Sequence, residues 1–232
     1  MYWERRYLNE KQIWGQNPSE LAQAAVHYIQ ENRSSSESLL IADIGCGYGR
    51  DAIHLSQTLK SQVLGVDRSE NAIRLAMESL AKVPDTNVRF QRVDFRDLDE
   101  QRFDVVFARN MYQLLKNSER AEFREMVKRT LKNQGLLFLM TLSTRDPQHY
   151  GKGTPVPDDV DSFQDTTFLH LCTKEELVND FSFLKICELY EHEFDEERTT
   201  TPHHHISWII VAENEKTTFH GPSTEEAQAV KP

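Results

Sequence analysis

Leu40-Ile41-Ala42-Asp43-Ile44-Gly45-Cys46-Gly47-Tyr48-Gly49-Arg50 is the stretch whose reading decides the fold. Leu39 to Asp43 is almost wholly apolar, as a strand buried on both faces of a sheet requires. Three glycines at alternate positions then break the run, and Asp51 to Leu59 resume it at helical spacing. Strand, glycine turn and helix in that order put the turn at the carboxyl end of a strand, where open parallel sheets bind ligands. Glycine lets the backbone approach a ligand closely, and the N–H groups that open the helix favour an anionic group.

The alternation repeats downstream. Val63 to Asp67 reads as a second strand, and Ser69 caps a helix whose buried stripe is Ile73, Ala76, Met77 and Leu80. Val88 to Val93 and Phe103 to Ala108 are the third and fourth strands. A helix carrying Phe123, Met126, Val127 and Leu131 on one side follows, and Gly135 leads into the strand Leu136 to Leu142. Strands and helices alternating at this spacing imply parallel pairing with right-handed crossovers. The rhythm then changes. Residues 144–172 read as loop, Thr173-Lys174-Glu175-Glu176 opens a short helix, and Phe183 to Phe194 with His205 to Glu213 form a closing antiparallel hairpin. Upstream lies an amphipathic leader containing Tyr2, Trp3, Tyr7, Ile13 and Trp14. Asn17-Pro18-Ser19-Glu20 begins a helix, with Asn17 as the cap and Pro18 at the first helical position. The expected division is an N-terminal helical lid over 1–34, a ligand-binding α/β domain over 35–213, and a disordered tail over 214–232, where apolar groups are few.

Three carboxylates fall where a nucleoside ligand would use them. Asp43 ends the first strand, placed to receive a cationic amino group. Asp67 ends the second, where a carboxylate accepts ribose hydroxyls. Asp94 follows the third, placed for an adenine amino group, with Phe95 to pack on the ring. Each alone is more often a cap or turn residue; their joint placement at three strand ends is what argues for a site.

The bulk properties narrow the classes. A chain of 232 residues is long enough for one large core. Its 27 Lys and Arg against 37 Asp and Glu, a net charge of -10, argue against nucleic acid as a partner, because that affinity rests on neutralising phosphates. Arg120, Arg124, Lys128 and Arg129 read as the solvated side of a helix. No run is long enough to span a membrane, and the first residues lack the apolar core of a signal peptide. Cys46, Cys172 and Cys187 form no close pair and leave one over, which suits a reduced, cytoplasmic protein. Nothing in the sequence points to a particular oligomeric state.

Leu40 to Arg50, followed by Val63-Leu64-Gly65-Val66-Asp67-Arg68-Ser69, resembles the first two motifs of class I S-adenosylmethionine-dependent methyltransferases. Val93-Asp94-Phe95 and Phe103-Asp104-Val105-Val106-Phe107 resemble the next two, so the resemblance covers about residues 35 to 213. It implies a Rossmann-like α/β fold: a seven-stranded, mostly parallel sheet with an antiparallel last strand and helices on both faces. It implies S-adenosyl-L-methionine as cofactor, with methionine-moiety contacts at Asp43 and along Gly45, Cys46, Gly47 and Gly49. Ribose contacts are implied at Asp67, adenine contacts at Asp94 and Phe95, flanking contacts at Arg68 and Ser69, and a methionine-end position at Arg109. Trp14 to Ser19 and Gly49-Arg50-Asp51-Ala52 are similar to small-molecule enzymes of the tellurite-resistance and thiopurine type, in which a leader folds over the cofactor. That makes Tyr7 and Trp14 lid candidates.

The expected reaction is methyl transfer to a small-molecule acceptor by in-line displacement, with the acceptor held about 3 to 3.5 Å from the methyl group. Acceptor contacts are expected from Asn110, Tyr112, Arg145, His149 and Tyr150, which flank the carboxyl ends of the fourth and fifth strands. His149 is a candidate general base because imidazole titrates near neutrality, and Tyr112 is a candidate because it directly follows the fourth strand. No metal is expected: His203 and His205 would share one strand face with His192 on the neighbouring strand, but no nearby cysteine completes a tetrahedral set. The same histidines would alternatively face the pocket rim. Two other functions compete. An NAD-dependent oxidoreductase would explain a glycine turn and the Tyr112-x-x-x-Lys116 pair, yet the turn is Gly-x-Gly-x-Gly rather than Gly-x-Gly-x-x-Gly. A non-catalytic sensor or scaffold that binds the cofactor would share the fold, because function belongs to the site.

Overall fold

The computed structural model describes residues 2–10, 13–34, 37–98, 103–196 and 203–215. Two helices come first, α1 (Tyr2–Asn9) and α2 (Glu20–Asn32). Then follow β1 (Leu40–Ile44), α3 (Arg50–Leu59), β2 (Gln62–Asp67), α4 (Glu70–Leu80), β3 (Asn87–Arg92), β4 (Phe103–Arg109), α5 (Asn117–Thr130) and β5 (Leu131–Leu142). The last part holds β6 (Thr154–Pro155), β7 (Ser162–Gln164), β8 (Phe168–His170), α6 (Lys174–Asp180), β9 (Lys185–Glu196) and β10 (His203–Glu213).

Seven strands form one sheet in the order β3-β2-β1-β4-β5-β10-β9. The first five are parallel, and β10 runs antiparallel to both β5 and β9. The reversal between β1 and β4 creates the topological switch point of an open α/β sheet. Register places Asp43 of β1 beside Gly65 of β2 and Phe107 of β4, so the glycine turn emerges at the centre of the sheet.

Alternation along the strands sorts the core onto two faces. Ile41, Val105, Phe107, Phe138 and Met140 pack with Leu21, Ala25 and Ile29 of α2 and with Ala52 and Leu55 of α3. Ala42, Val106, Ala108, Leu137 and Leu139 pack on the other face with Phe123, Met126 and Val127 of α5 and Leu177 of α6. Truncating a fully buried phenylalanine such as Phe107 or Phe138 in such a core costs about 3–5 kcal/mol.

Four details differ from the sequence reading. Ser19, not Asn17, caps α2: its backbone is extended and its Oγ accepts from Ala22 N at 3.1 Å, so Pro18 precedes the helix. In α4 the buried stripe is Ala72, Leu75 and Ala76, while Met77 is exposed, because α1 covers the side of α4 that the sequence left to solvent. Residues 144–172 are not all loop, for β6, β7 and β8 make a small antiparallel sheet. The basic side chains of α5 are not simply solvated. Arg120 is buried and donates to Asp159 Oδ1 at 2.7 Å, and Arg124 donates to Asp180 Oδ2 at 2.9 Å. Asp159 also accepts from Asn117 N at 2.9 Å, which ties the small sheet's loop to the start of α5. The disorder expected for the tail falls, from residue 216 onward, outside the described residues; Asn214 itself donates to the carbonyls of Leu131 and Lys132.

Candidate functional site

Asp43 is the penultimate residue of β1, and the glycine turn that follows is held by β2: Gly45 N and Cys46 N both donate to Val66 O, at 2.8 and 3.0 Å. Gly47 and Gly49 both have positive φ, but they are glycine for different reasons. A Cβ on Gly47 would lie 2.7 Å from Tyr7 Oη, so a side chain there would collide with the leader above the cavity. A Cβ on Gly49 would lie 2.4 Å from Phe90 Cζ and 3.1 Å from Ala76 Cβ. Gly49 therefore serves the packing of α3 and α4 on the sheet, and it is not on the cavity wall where a cofactor contact was expected.

The cavity at this turn is about 280 Å³. Asp67 braces its floor, with Oδ2 accepting from Gly47 N at 3.1 Å and Oδ1 accepting from Ser69 N at 2.8 Å. A carboxylate has about four lone-pair sites, so both oxygens keep capacity for hydroxyl donors. Asp43 is 3% exposed, and its Oδ2 has no hydrogen-bond partner. Burial, reinforced by the charges of Asp51 and Asp67, pushes the Asp43 carboxyl well above the usual carboxylate range, with Arg50 opposing. Burial also raises Asp67, against hydrogen bonds from Ser69 and Gly47. The buried Asp43, with its orphan oxygen, and the half-buried Asp67 make a strong place for a cationic group. The chain's residues thus fit the amino-acid end and the ribose of S-adenosylmethionine.

Asp94 and Phe95 stand on the far wall with Arg68 and Ser69. The Asp94 carboxyl is held below its ordinary range by hydrogen bonds from Arg96, whose Nε and Nη2 reach it at 2.9 and 2.7 Å. Arg109 lies opposite, with Nη2 3.3 Å from Glu20 Oε2 and a buried Nε without a partner. Cys46 lines the cavity, and burial pushes its thiol well above the ordinary value, which leaves it no thiolate chemistry.

The leader closes the cavity from above. Tyr7 is 4% exposed, and Trp14 stacks on Tyr48 with ring centroids 6.3 Å apart. Tyr48 Oη donates to Gly15 O at 2.7 Å, and Arg50 Nη1 donates to Trp14 O at 2.6 Å. Glu4 of α1 accepts from Ser69 Oγ and, at 2.6 Å, from Asn71 Nδ2, pinning α1 over the first turn of α4.

A second cavity, about 330 Å³, shares Trp3, Trp14, Asn110, Leu114 and Thr167 with the first. Of the five expected acceptor residues, Asn110 and His149 line it. Tyr112 does not. It is fully buried, with Oη donating to Asp180 Oδ2 at 2.6 Å and accepting from Arg124 Nη1 at 2.9 Å, because the turn after β4 points it into the core of the α5 face. The same burial takes Tyr112 out of a dehydrogenase-like Tyr-Lys pair. Arg145 turns away to pair with Glu191, and Tyr150 is exposed and donates to Asp161. Neither lines either of these two cavities. Of the histidines, His205 is buried and lines the second cavity, hydrogen-bonded to Asp146, whereas His204 pairs with Asp195 at the surface.

Sequence reasoning passed over Tyr2, Trp3, Tyr48, Met111, Gln113 and Thr167, all on cavity walls. Tyr48 was within reach, since it sits between two of the motif glycines. Thr167 carried no signal; the small sheet brings it in from a segment far along the chain.

An open parallel sheet with a glycine turn and acidic residues at the carboxyl ends of its first three strands is the arrangement of a nucleoside-binding α/β fold. Comparison with known proteins sharpens that. Residues 41–135 match the family model described as a methyltransferase domain. A SAM-dependent methyltransferase structure from Methanosarcina mazei is similar at 24% identity and TM-score 0.66, covering 78% of this chain and 94% of that one. TehB from Haemophilus influenzae is similar at 18% identity and TM-score 0.63, covering 84% of this chain and 61% of that one. A Burkholderia thailandensis 1,6-didemethyltoxoflavin-N1-methyltransferase, solved with 1,6-didemethyltoxoflavin and S-adenosylhomocysteine bound, is similar at 15% identity and TM-score 0.61, covering 84% and 79%. The chain spans less than half the length of the curated relatives it matches. Motifs, topology and family match agree: residues 41–135 carry a methyltransferase domain, and the sheet around them has the fold of the class I S-adenosylmethionine-dependent methyltransferases.

Proposed function

We propose that this chain binds S-adenosyl-L-methionine in the first cavity and transfers its methyl group to a small molecule held in the second. The observation that carries this reading is the shared wall: Trp3, Trp14, Asn110, Leu114 and Thr167 border both cavities. An acceptor in one would meet the cofactor in the other, and the aromatic residues of the leader keep water out of the junction. When bound, the cofactor supplies an electrophilic methyl group on a cationic sulfur. Asp43 receives the cofactor's amino group, Asp67 the ribose hydroxyls, and Asp94 with Phe95 the adenine. Arg68 and Ser69 border the adenine side, Arg109 borders the methionine end, and Cys46 and Gly47 bring backbone against the ligand. Tyr7 and Trp14 act as the lid.

The modest size of the second cavity supports a small-molecule acceptor. The bound acceptor of the Burkholderia enzyme, similar in fold, points the same way. The pairing of α5's arginines with Asp159 and Asp180 weighs against nucleic acid as substrate. Unpaired cysteines at 46, 172 and 187 suit a cytoplasmic location, and no helix among the described residues is long and apolar enough to cross a membrane. A sensor that only binds the cofactor has no use for a second cavity, which favours the enzyme.

Calorimetric titration with S-adenosylmethionine, S-adenosylhomocysteine and NADH tests the reading. Binding of the first two at micromolar concentration without NADH binding supports it. A folded protein that binds neither S-adenosyl compound refutes it.

A further inference from the structure

Asp146 follows β5, at the edge of the second cavity, and gathers five donors. Oδ1 accepts from Gln148 N at 3.0 Å, His149 N at 2.9 Å and His149 Nδ1 at 2.9 Å. Oδ2 accepts from His205 Nδ1 at 3.1 Å and Ile206 N at 3.0 Å. The two imidazoles stack with centroids 5.2 Å apart, and both line the cavity.

Asp146, His149 and His205 also resemble a metal-ligand set, with potential ligand atoms within 4.8 Å of one another. Three backbone N–H groups take three of the carboxylate's about four acceptor sites, and the Nδ1 atoms of both imidazoles turn to the same oxygens, which makes Asp146 an orienting group; the chelator arm of the test below separates this use from metal binding. Although burial opposes ionisation, hydrogen bonds from His149 and His205 hold its carboxyl well below the ordinary range, so it is an anion that only accepts. His149 Nδ1 must then carry the proton, and in the neutral ring Nε2 carries the lone pair.

The rest of the cavity describes what this base faces. Trp3 and Trp14 supply aromatic surface with centroids 5.6 Å apart, and Phe194 adds another ring. The side-chain oxygens of Asn110 and Gln113 are buried without partners. Both residues line the cavity, and Gln113 is only 6% exposed. Buried amide groups without partners are costly unless a ligand supplies one.

We infer that His149, oriented by Asp146, is the general base for a planar aromatic acceptor bearing an ionisable hydroxyl or ring N–H, which the carboxamides of Asn110 and Gln113 orient. The inference rests on the methyl-transfer reading and names the acceptor class. In the step, the acceptor's X–H bond breaks, its electron pair stays on X, and an N–H bond forms at His149 Nε2. The X lone pair is then the nucleophile, and the imidazolium returns its proton to solvent through the 29% of its side chain that is exposed. A thiolate, already ionised near neutral pH in activated form, would need none of this.

The test uses 4-nitrophenol, a planar phenol whose anion absorbs in the visible. It is titrated into the protein with S-adenosylhomocysteine present, at a pH below the phenol's own pKa. The expected result is the phenolate band growing with wild-type protein, unchanged by a chelator, and lost in His149→Gln while the phenol still binds by calorimetry. Asp146→Asn, which keeps the side-chain shape, is expected to weaken the band, with folding checked by thermal melting. Nitrophenol bound by wild type with only its neutral spectrum overturns the base assignment. A band abolished by the chelator overturns it in favour of a metal. No nitrophenol binding to a protein that binds S-adenosylhomocysteine overturns the acceptor class while leaving the cofactor reading intact. Absence of S-adenosylhomocysteine binding removes the cofactor reading itself, and the inference with it.

Discussion

Replacing Asp43 by asparagine is expected to stabilise the empty protein and weaken its hold on the cofactor. The side chain is 3% exposed, its Oδ2 is unpartnered, and burial plus the neighbouring carboxylates disfavour its charge. Asparagine keeps the shape and removes the charge, so the cost of a buried polar group left unmatched, about 1–3 kcal/mol, is relieved in part. The sign with pH follows from linkage. A group whose folded pKa is raised contributes stability fully below its unfolded value of about 3.9 and loses it as pH rises through the folded value. The asparagine variant should therefore gain on wild type as pH rises above the ordinary carboxylate range. With ligand the sign reverses. Losing a hydrogen bond between the cofactor's ammonium group and a carboxylate costs about 1.5–3 kcal/mol, or about 10- to 150-fold in Kd. S-adenosylmethionine and S-adenosylhomocysteine share that ammonium, so both should weaken alike. Thermal unfolding across pH and calorimetric titration together measure the two signs. A variant less stable than wild type when empty, with unchanged affinity, would refute the placement of the ammonium at Asp43.

Three further outcomes are expected. Asp67→Ala should weaken both S-adenosyl compounds by about 1–3 kcal/mol through lost ribose contacts, and calorimetry on the folded variant reads this directly. Glu4→Ala removes the side chain that accepts from Ser69 and Asn71, so Trp3 and Trp14 fluorescence should become more accessible to a soluble quencher, and bound S-adenosylhomocysteine should leave faster in stopped flow. Asp159→Ala leaves Arg120 buried without its main partner, which typically costs about 3–5 kcal/mol, and chemical denaturation should show the loss.

The sequence by itself determined the sheet and where the acidic residues of its strand ends fall. Strand, glycine turn and helix are local patterns, and Asp43, Asp67 and Asp94 lie at or just beyond the carboxyl ends of strands whose positions the parallel order fixes. The antiparallel closing hairpin was legible for the same reason, since two apolar runs joined by a polar turn have few other ways to pair. The second cavity was not legible. Tyr112 looked exposed because it directly follows β4, yet a short turn folds its ring into the core, where Asp180 and Arg124 satisfy the hydroxyl. Arg145 and Tyr150 were drawn away by Glu191 and Asp161, partners too variable in sequence separation to announce themselves. His205 joined His149 only because β10 inserts between β5 and β9 and brings its first residues beside Asp146, 59 positions away. Periodicity fixes which face of an element is buried; which loops then meet over that face is a property of tertiary contacts, and most of the second cavity's wall comes from such loops and the leader, with strand residues such as Leu142 and His205 completing it.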